Sequence, residues 1–289
     1  MSDLVACYWT VSGPVEIHFG REWSTFDWRD RCDHAARVGF TGLGLWSSDI
    51  LHQQEGGRSL KQMQEIFAAA GLRDLELEFI ADFFVAPGTP ERAASDATKA
   101  LLFEAAAVFG AHHIKVGNIP GTVCEPEPLA EAFAALCDEA KEQTDAKVAY
   151  EFMPFDVNVH TLDAALALMK NAGEPANAGL VIDTWHMSKL GISPADLHRV
   201  RPEQLAWVEL SDGHHHNLED AIYEVTCDRS LPGEGEFDIR GYVEAFQEIG
   251  YPGPWGVEVL SAALRELPIE LEFERAYETT SAQFAAGLA

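Results

Sequence analysis

The chain is poor in positive charge. Its 289 residues carry 20 Lys and Arg against 47 Asp and Glu, a formal charge of −27. Nucleic-acid phosphates are bound by Lys and Arg, so this balance predicts no nucleic-acid partner and none of an anionic membrane surface. Cysteine is scarce as well. Cys7, Cys32, Cys124, Cys137 and Cys227 are odd in number, scattered and without a CxxC pair. Such usage fits neither a disulfide framework nor a zinc ribbon, and predicts reduced thiols in a cytoplasmic protein. No apolar run approaches the ~20 residues that cross a bilayer. The opening MSDLVACYWTVSGP lacks the basic start and apolar stretch of a secretory signal. Neither GxGxxG nor GxxxxGK(S/T) follows the first strand candidate, so nucleotide-binding folds gain nothing. No Pro/Gly/Ser-rich linker divides the chain, which predicts one domain over residues 1–289.

What is present is alternation. Short apolar runs recur at 4–9, 41–46, 74–80, 112–117, 147–152, 179–183, 205–210 and 254–260. Between them lie Ala- and Leu-rich segments with helical spacing, at 61–72, 91–110, 128–143, 161–173, 237–250 and 268–288, with further helices over 26–38 and 193–200. Strands alternating with helices read as βα units on a parallel sheet. Eight units fit a single (β/α)8 TIM barrel, for which about 250 residues is typical. Two smaller doubly wound domains are the alternative.

Reactive groups of such barrels sit at the C-terminal ends of strands. Four successive strand candidates end in an acid: VAYEF in Glu151, GLVID in Asp183, WVEL in Glu209 and GVEVL in Glu258. A single strand-end acid reads as a solvated or helix-capping residue. Four in register would converge, and two unit charges ~4 Å apart repel by ~4 kcal/mol at an effective dielectric near 20. Burial adds a desolvation penalty. Either some of the four hold protons or a divalent cation sits among them. Oxygen ligands favour Mn2+ or Mg2+, with Co2+, Fe2+ and Zn2+ also able to bind.

The segments YEFMPF, GLVIDTWHM, VELSDG, LPGEGEFD and GVEVLS resemble the xylose isomerase-like TIM-barrel superfamily. That group includes sugar isomerases, ketose 3-epimerases, inosose-processing enzymes, 3-dehydroshikimate dehydratases and a branch of AP endonucleases. The resemblance runs through nearly the whole chain in strand–helix order, with its specific motifs between 148 and 261. It implies one divalent metal ion held by Glu151, Asp183, Glu209 and Glu258. Position 209 departs from the pattern, being Glu where His is usual, so the set here is all carboxylate. The resemblance also implies that His186 and Arg229 face substrate, a surface arginine being the alternative for Arg229, and that the chain forms a homodimer or homotetramer.

Several other residues have more than one reading. Asp212 is a substrate ligand, an orienting group for Glu209, or a turn residue before Gly213. Lys115, alternating with His113 on the fourth strand, either points inward at the acids or snorkels outward. Trp9 and Trp46 end the first two strands, where rings stack on a sugar face or pack the core. Glu78 is a further candidate acid. The run His214–His216 reads as a polar loop, one member of which lines the site, and Glu234 and Glu236 read as solvated.

The chemistry this pattern suggests is proton abstraction beside a carbonyl, with the ion stabilising the enediolate. Glu151 and Glu258 then act as base and acid, and His186 bonds the oxygen where charge develops. The first expectation is a metal-dependent isomerase or epimerase of a sugar or cyclitol. The second is a dehydratase of the 3-dehydroshikimate or inosose kind. An AP endonuclease and a non-catalytic metal-binding barrel complete the set.

Overall fold

The computed structural model describes residues 2–17, 20–119 and 121–284. Eight strands close into one parallel barrel in chain order, as a (β/α)8 barrel does. They are β1 (Leu4–Ala6), β2 (Gly42–Trp46), β3 (Asp74–Ile80), β4 (His113–Val116), β5 (Lys147–Glu151), β6 (Ala178–Asp183), β7 (Leu205–Leu210) and β8 (Trp255–Val257). The ring is closed by β1 against β8, with Leu4 opposite Trp255 and Ala6 opposite Val257.

The outer layer begins with α1 (Trp28–Val38), α2 (Ser47–Glu55), α3 (Leu60–Ala69) and α4 (Pro90–Phe109). It continues with α5 (Pro126–Lys141), α6 (Leu162–Asn171), α7 (Thr184–Lys189) and α8 (Ala221–Cys227). It ends with α9 (Ile239–Ile249), α10 (Ala262–Arg265) and α11 (Ile269–Ser281). Local signals set their ends. Asp27 caps α1 by accepting from Arg29 N, and Ser59 with Gln62 forms a capping box on α3. Thr89 and Pro90 open α4, which stops at Gly110 in the left-handed conformation.

Among the described residues the buried apolar side chains form three clusters. One lies between strands and helices, and includes Trp28, Phe103, Phe133, Phe246 and Phe273. A second joins Tyr8, Trp9, Val15, Ile17 and Leu260. The last fills the barrel lumen, where Val5, Cys7, Ala149 and Val181 surround Trp207. The indole needs all of that space. A Cβ at Gly256 would stand 2.7 Å from Trp207 Nε1 and 2.8 Å from Cys7 Sγ, so the neighbouring strand has glycine there.

Some elements differ from the sequence expectation for a visible reason. The first strand stops at Ala6 and residues Tyr8–Thr10 form a 3-10 turn. The eighth stops at Val257. Both follow from Thr10, whose hydroxyl donates to Val257 O and accepts from Val259 N, each at 2.7 Å, replacing strand pairing with a side-chain bridge. After Asp183 the chain turns directly into α7, because the Asp183 carboxylate accepts from Trp185 N at 2.8 Å and starts a helix. The helix expected over 193–200 is 3-10, spanning Pro194–Arg199. Among the described residues no helix is long and apolar enough to cross a membrane, and all five cysteines are free.

Candidate functional site

Strand alternation explains the placement of each acid. Inward positions lie two residues apart, so Trp207 and Glu209 share the lumen face of β7, and Glu76 and Glu78 share that of β3. Asp183 pairs directly with Glu209 across β6 and β7. Glu258 follows β8 immediately, its N–H donating to Leu210 O at 3.2 Å. One oxygen of each of Glu151, Asp183, Glu209 and Glu258 lies within 4.8 Å of one from every other, so the four expected acids do converge.

Against three of them stands Lys115, which points inward and is fully buried. Its Nζ bonds Glu258 Oε1 at 2.6 Å and Glu209 Oε1 at 2.8 Å, with Glu78 Oε2 at 3.2 Å and Glu151 Oε2 at 3.7 Å. The outward alternative for this lysine is thereby removed. A second cation closes the other side. Arg229 NH1 donates to Asp183 Oδ2 at 2.6 Å and reaches Glu258 Oε2 at 3.5 Å, while its guanidinium lies 4.8 Å from the Trp185 ring. Arg229 is buried, not a surface residue. His186, on the first turn of α7, brings Nε2 to 3.3 Å from Glu151 and 3.6 Å from Asp183, and its Nδ1 is buried without a partner.

One ammonium shared by four carboxylates divides their charge. Burial opposes the Lys115 cation, but Glu151, Glu209, Glu258 and Glu78 outweigh it and keep it charged. Burial pushes Glu78 and Glu209 well above the ordinary carboxylate range, and Glu258 also rises, with Lys115 only partly offsetting it. Glu151 goes the other way. Burial would raise it, but Lys115, His186 and Arg229 together hold it below its usual value. Lys115 therefore stays protonated while not all of its partners are ionised.

The donor chemistry fits a divalent cation. Four hard oxygen ligands converge, and Glu209 Oε2 is a buried acceptor with no hydrogen-bond partner among the described residues. These acidic clusters suggest a divalent metal.

Other expected residues fall out differently. Asp212 is committed to its own loop: Oδ1 accepts from Gly213 N and Phe237 N, and Oδ2 from Gly233 N and Gly235 N, at 2.8–3.0 Å. Four amides fill its lone pairs, so it holds the 233–237 turn rather than a ligand. Trp46 and Trp9 do line the cavity above the acids, their rings 4.8 Å apart. So does Glu78. His113 lies a layer deeper, its ring 4.4 Å from that of Trp207. The His214–His216 run is a loop whose first and third rings stack and, with Glu236, form a separate surface cluster. Glu234 and Glu236 are exposed, as expected.

Sequence reading missed Glu76 and Cys7. Cys7 Sγ lies 3.0 Å from Glu76 Oε2 beneath the acid ring, both fully buried. The signal was present in DLELEFI, whose alternating acids place Glu76 and Glu78 on one face.

The family profile for the xylose isomerase-like TIM barrel matches residues 32–279. A 3-dehydroshikimate dehydratase of Pseudomonas aeruginosa is 25% identical over 83% of this chain and 37% of its own length. An inosose isomerase of Bacillus velezensis is 27% identical over 53% of each chain. The chain thus spans about a third to a half of the length of these curated relatives. A crystal structure of the IOLI protein with a bound zinc atom superposes with a TM-score of 0.79 at 18% identity, covering 98% of both chains. With its closed eight-stranded barrel and a profile match through most of its length, the chain belongs to the xylose isomerase-like TIM-barrel family.

Proposed function

We propose that this barrel takes a proton from the carbon beside a carbonyl, acting as an isomerase or epimerase on a hydroxy-carbonyl compound of the sugar or cyclitol kind. One observation carries the reading: Glu151 and Glu258, from β5 and the end of β8, meet on one cavity floor with His186 and Arg229. Two carboxylates flanking a substrate can remove a proton on one side and return one on the other. His186, held by Glu151 and Asp183, presents a ring nitrogen to the oxygen where negative charge grows. Arg229 adds a fixed positive charge beside it. Lys115 holds Glu209 and Glu258 in place from below. Burial of the floor keeps bulk water from competing for the proton.

Glu151, Asp183, Glu209 and Glu258 would hold the divalent ion, Mn2+ or Mg2+ by donor hardness. When bound, such an ion supplies a Lewis acid that polarises the carbonyl. A dehydratase is the second reading. It begins with the same proton abstraction, and it is favoured by the longer alignment, over 83% of the chain, with the dehydroshikimate dehydratase.

The test is a screen of ketoses, inososes and dehydroshikimate in deuterated water with added Mn2+. Deuterium at the carbon beside the carbonyl supports the reading, and the product distinguishes epimer, isomer and dehydrated compound. Absence of exchange from every compound overturns it.

A further inference from the structure

We infer that the substrate is a sugar- or cyclitol-like hydroxy-carbonyl head that carries an apolar, ring-sized body. The inference rests on the proton-abstraction reading of the cavity floor. The cavity holds about 640 Å3. Its charged groups are gathered at the bottom: Glu78, Glu151, His186, Arg229 and Glu258. Above them the walls are Trp9, Trp46, Phe79, Ile119, Phe155 and Ile222.

Two polar wall groups are already engaged. Trp46 Nε1 donates to Glu22 Oε2 at 3.0 Å, and the Thr226 hydroxyl donates to Ile222 O at 2.7 Å. A free ketose presents hydroxyls along its whole length. Those beyond the floor would lie against hydrocarbon and lose their water without replacement, which weakens binding. An apolar ring gains where the hydroxyls lose. The tilted Trp9–Trp46 pair and the Phe155 ring, itself edge-on to His186 at 5.9 Å, offer faces and edges for it. The apolar wall also reaches the surface: Phe155 is 38% exposed and Ile222 57%. A ligand that ends at the floor leaves this rim wet, and one with an apolar body covers it.

Hydroxyacetone and α-hydroxyacetophenone test this directly. They share the CO–CH2OH head and differ in methyl against phenyl. Binding is read by tryptophan fluorescence and calorimetry with Mn2+ in excess, and solvent deuterium entering the CH2 group is measured in the same samples. The phenyl compound is expected to bind at least about tenfold more tightly, from its added apolar area. Phe155→Ala and Ile222→Ser are each expected to lower that ratio about threefold or more. Both side chains are over a third exposed, so the fold survives their loss. Equal affinities, no saturable binding of the phenyl compound, or a ratio unchanged in both variants overturns the inference. Exchange of both compounds without a phenyl preference overturns the apolar body and leaves proton abstraction standing. A phenyl preference without exchange in either compound supports the apolar body, and proton abstraction is then decided by the screen of ketoses, inososes and dehydroshikimate.

Discussion

Lys115 and Glu209 meet at 2.8 Å inside the barrel, from β4 and β7, 94 positions apart in sequence. The contact pairs a buried ammonium with a buried carboxylate of the strand-end acid set. Removing one partner of such a pair leaves a buried charge uncompensated, at a cost of roughly 3–5 kcal/mol. Lys115→Met is therefore predicted to lower the melting temperature by on the order of 10 °C. Lys115→Met with Glu209→Gln should lose less than the sum of the two single changes. Thermal melts of all four proteins measure the coupling, and strict additivity would show that the pair does not act as a unit.

Glu151→Gln and Glu258→Gln keep size and hydrogen-bonding shape but cannot carry a proton through the reaction. Each is predicted to reduce proton exchange by about 10²–10⁴-fold. The circular dichroism spectrum should be unchanged. Undiminished exchange in either variant would remove that residue from the proton path.

Metal binding should register as stability. Chelator-treated protein is predicted to melt higher on adding Mn2+, since a ligand at 100 times its Kd adds about 2.7 kcal/mol to folding. Asp183→Asn weakens one of the four donors and should shrink the shift. Calorimetric titration gives the stoichiometry, expected to be one. No shift with Mn2+, Mg2+, Co2+ or Zn2+ would count against the carboxylate set as a metal site.

Glu272 provides a pH signature away from the site. Its side chain is fully buried on α11, with Oε1 accepting from Gly13 N at 3.3 Å and Oε2 unpartnered. Burial pushes this carboxyl up to about 8 from 4.5, against the pull of the Gly13 N–H and Arg265. Between those values the folded state holds a proton that the unfolded chain has released, so stability falls as pH rises. The contribution is complete below about pH 4.5 and gone above about pH 8. Glu272→Gln keeps the acceptor without the charge. It is predicted to melt level with the parent near pH 5 and about 2–4 °C or more above it near pH 9. Parallel melts across that range check the crossover.

Much of the fold was legible because each βα unit announces itself locally, by an apolar run and then a helical repeat. The strand-end acids were legible for the same reason: Asp183 or Glu258 breaks an apolar run at a place where the barrel has a known polarity. What could not be read was mutual. Lys115 sits in the short run HIKV, which says nothing of whether its side chain faces the lumen or the helices. Only ring closure decides that. Asp212 misled because VELSDG fits a ligand and a turn equally well, and the choice lies with four amides more than twenty positions on or next door. The buried Arg31–Asp49 pair, joining α1 to α2, carried no signal either, since each residue alone resembles a solvated helix charge.

The closing strand has a kinetic meaning. β8 is the last strand, it completes the ring by pairing with the first, and Glu258 follows it by a single residue. On a nascent chain emerging from the ribosome, seven strands exist before the ring can shut. Glu258 arrives with the closure itself. Until then the Lys115 ammonium lacks the carboxylate that holds it at 2.6 Å. Arrival of the last acid and sealing of the barrel are one event, and the acid set is complete only when the ring is.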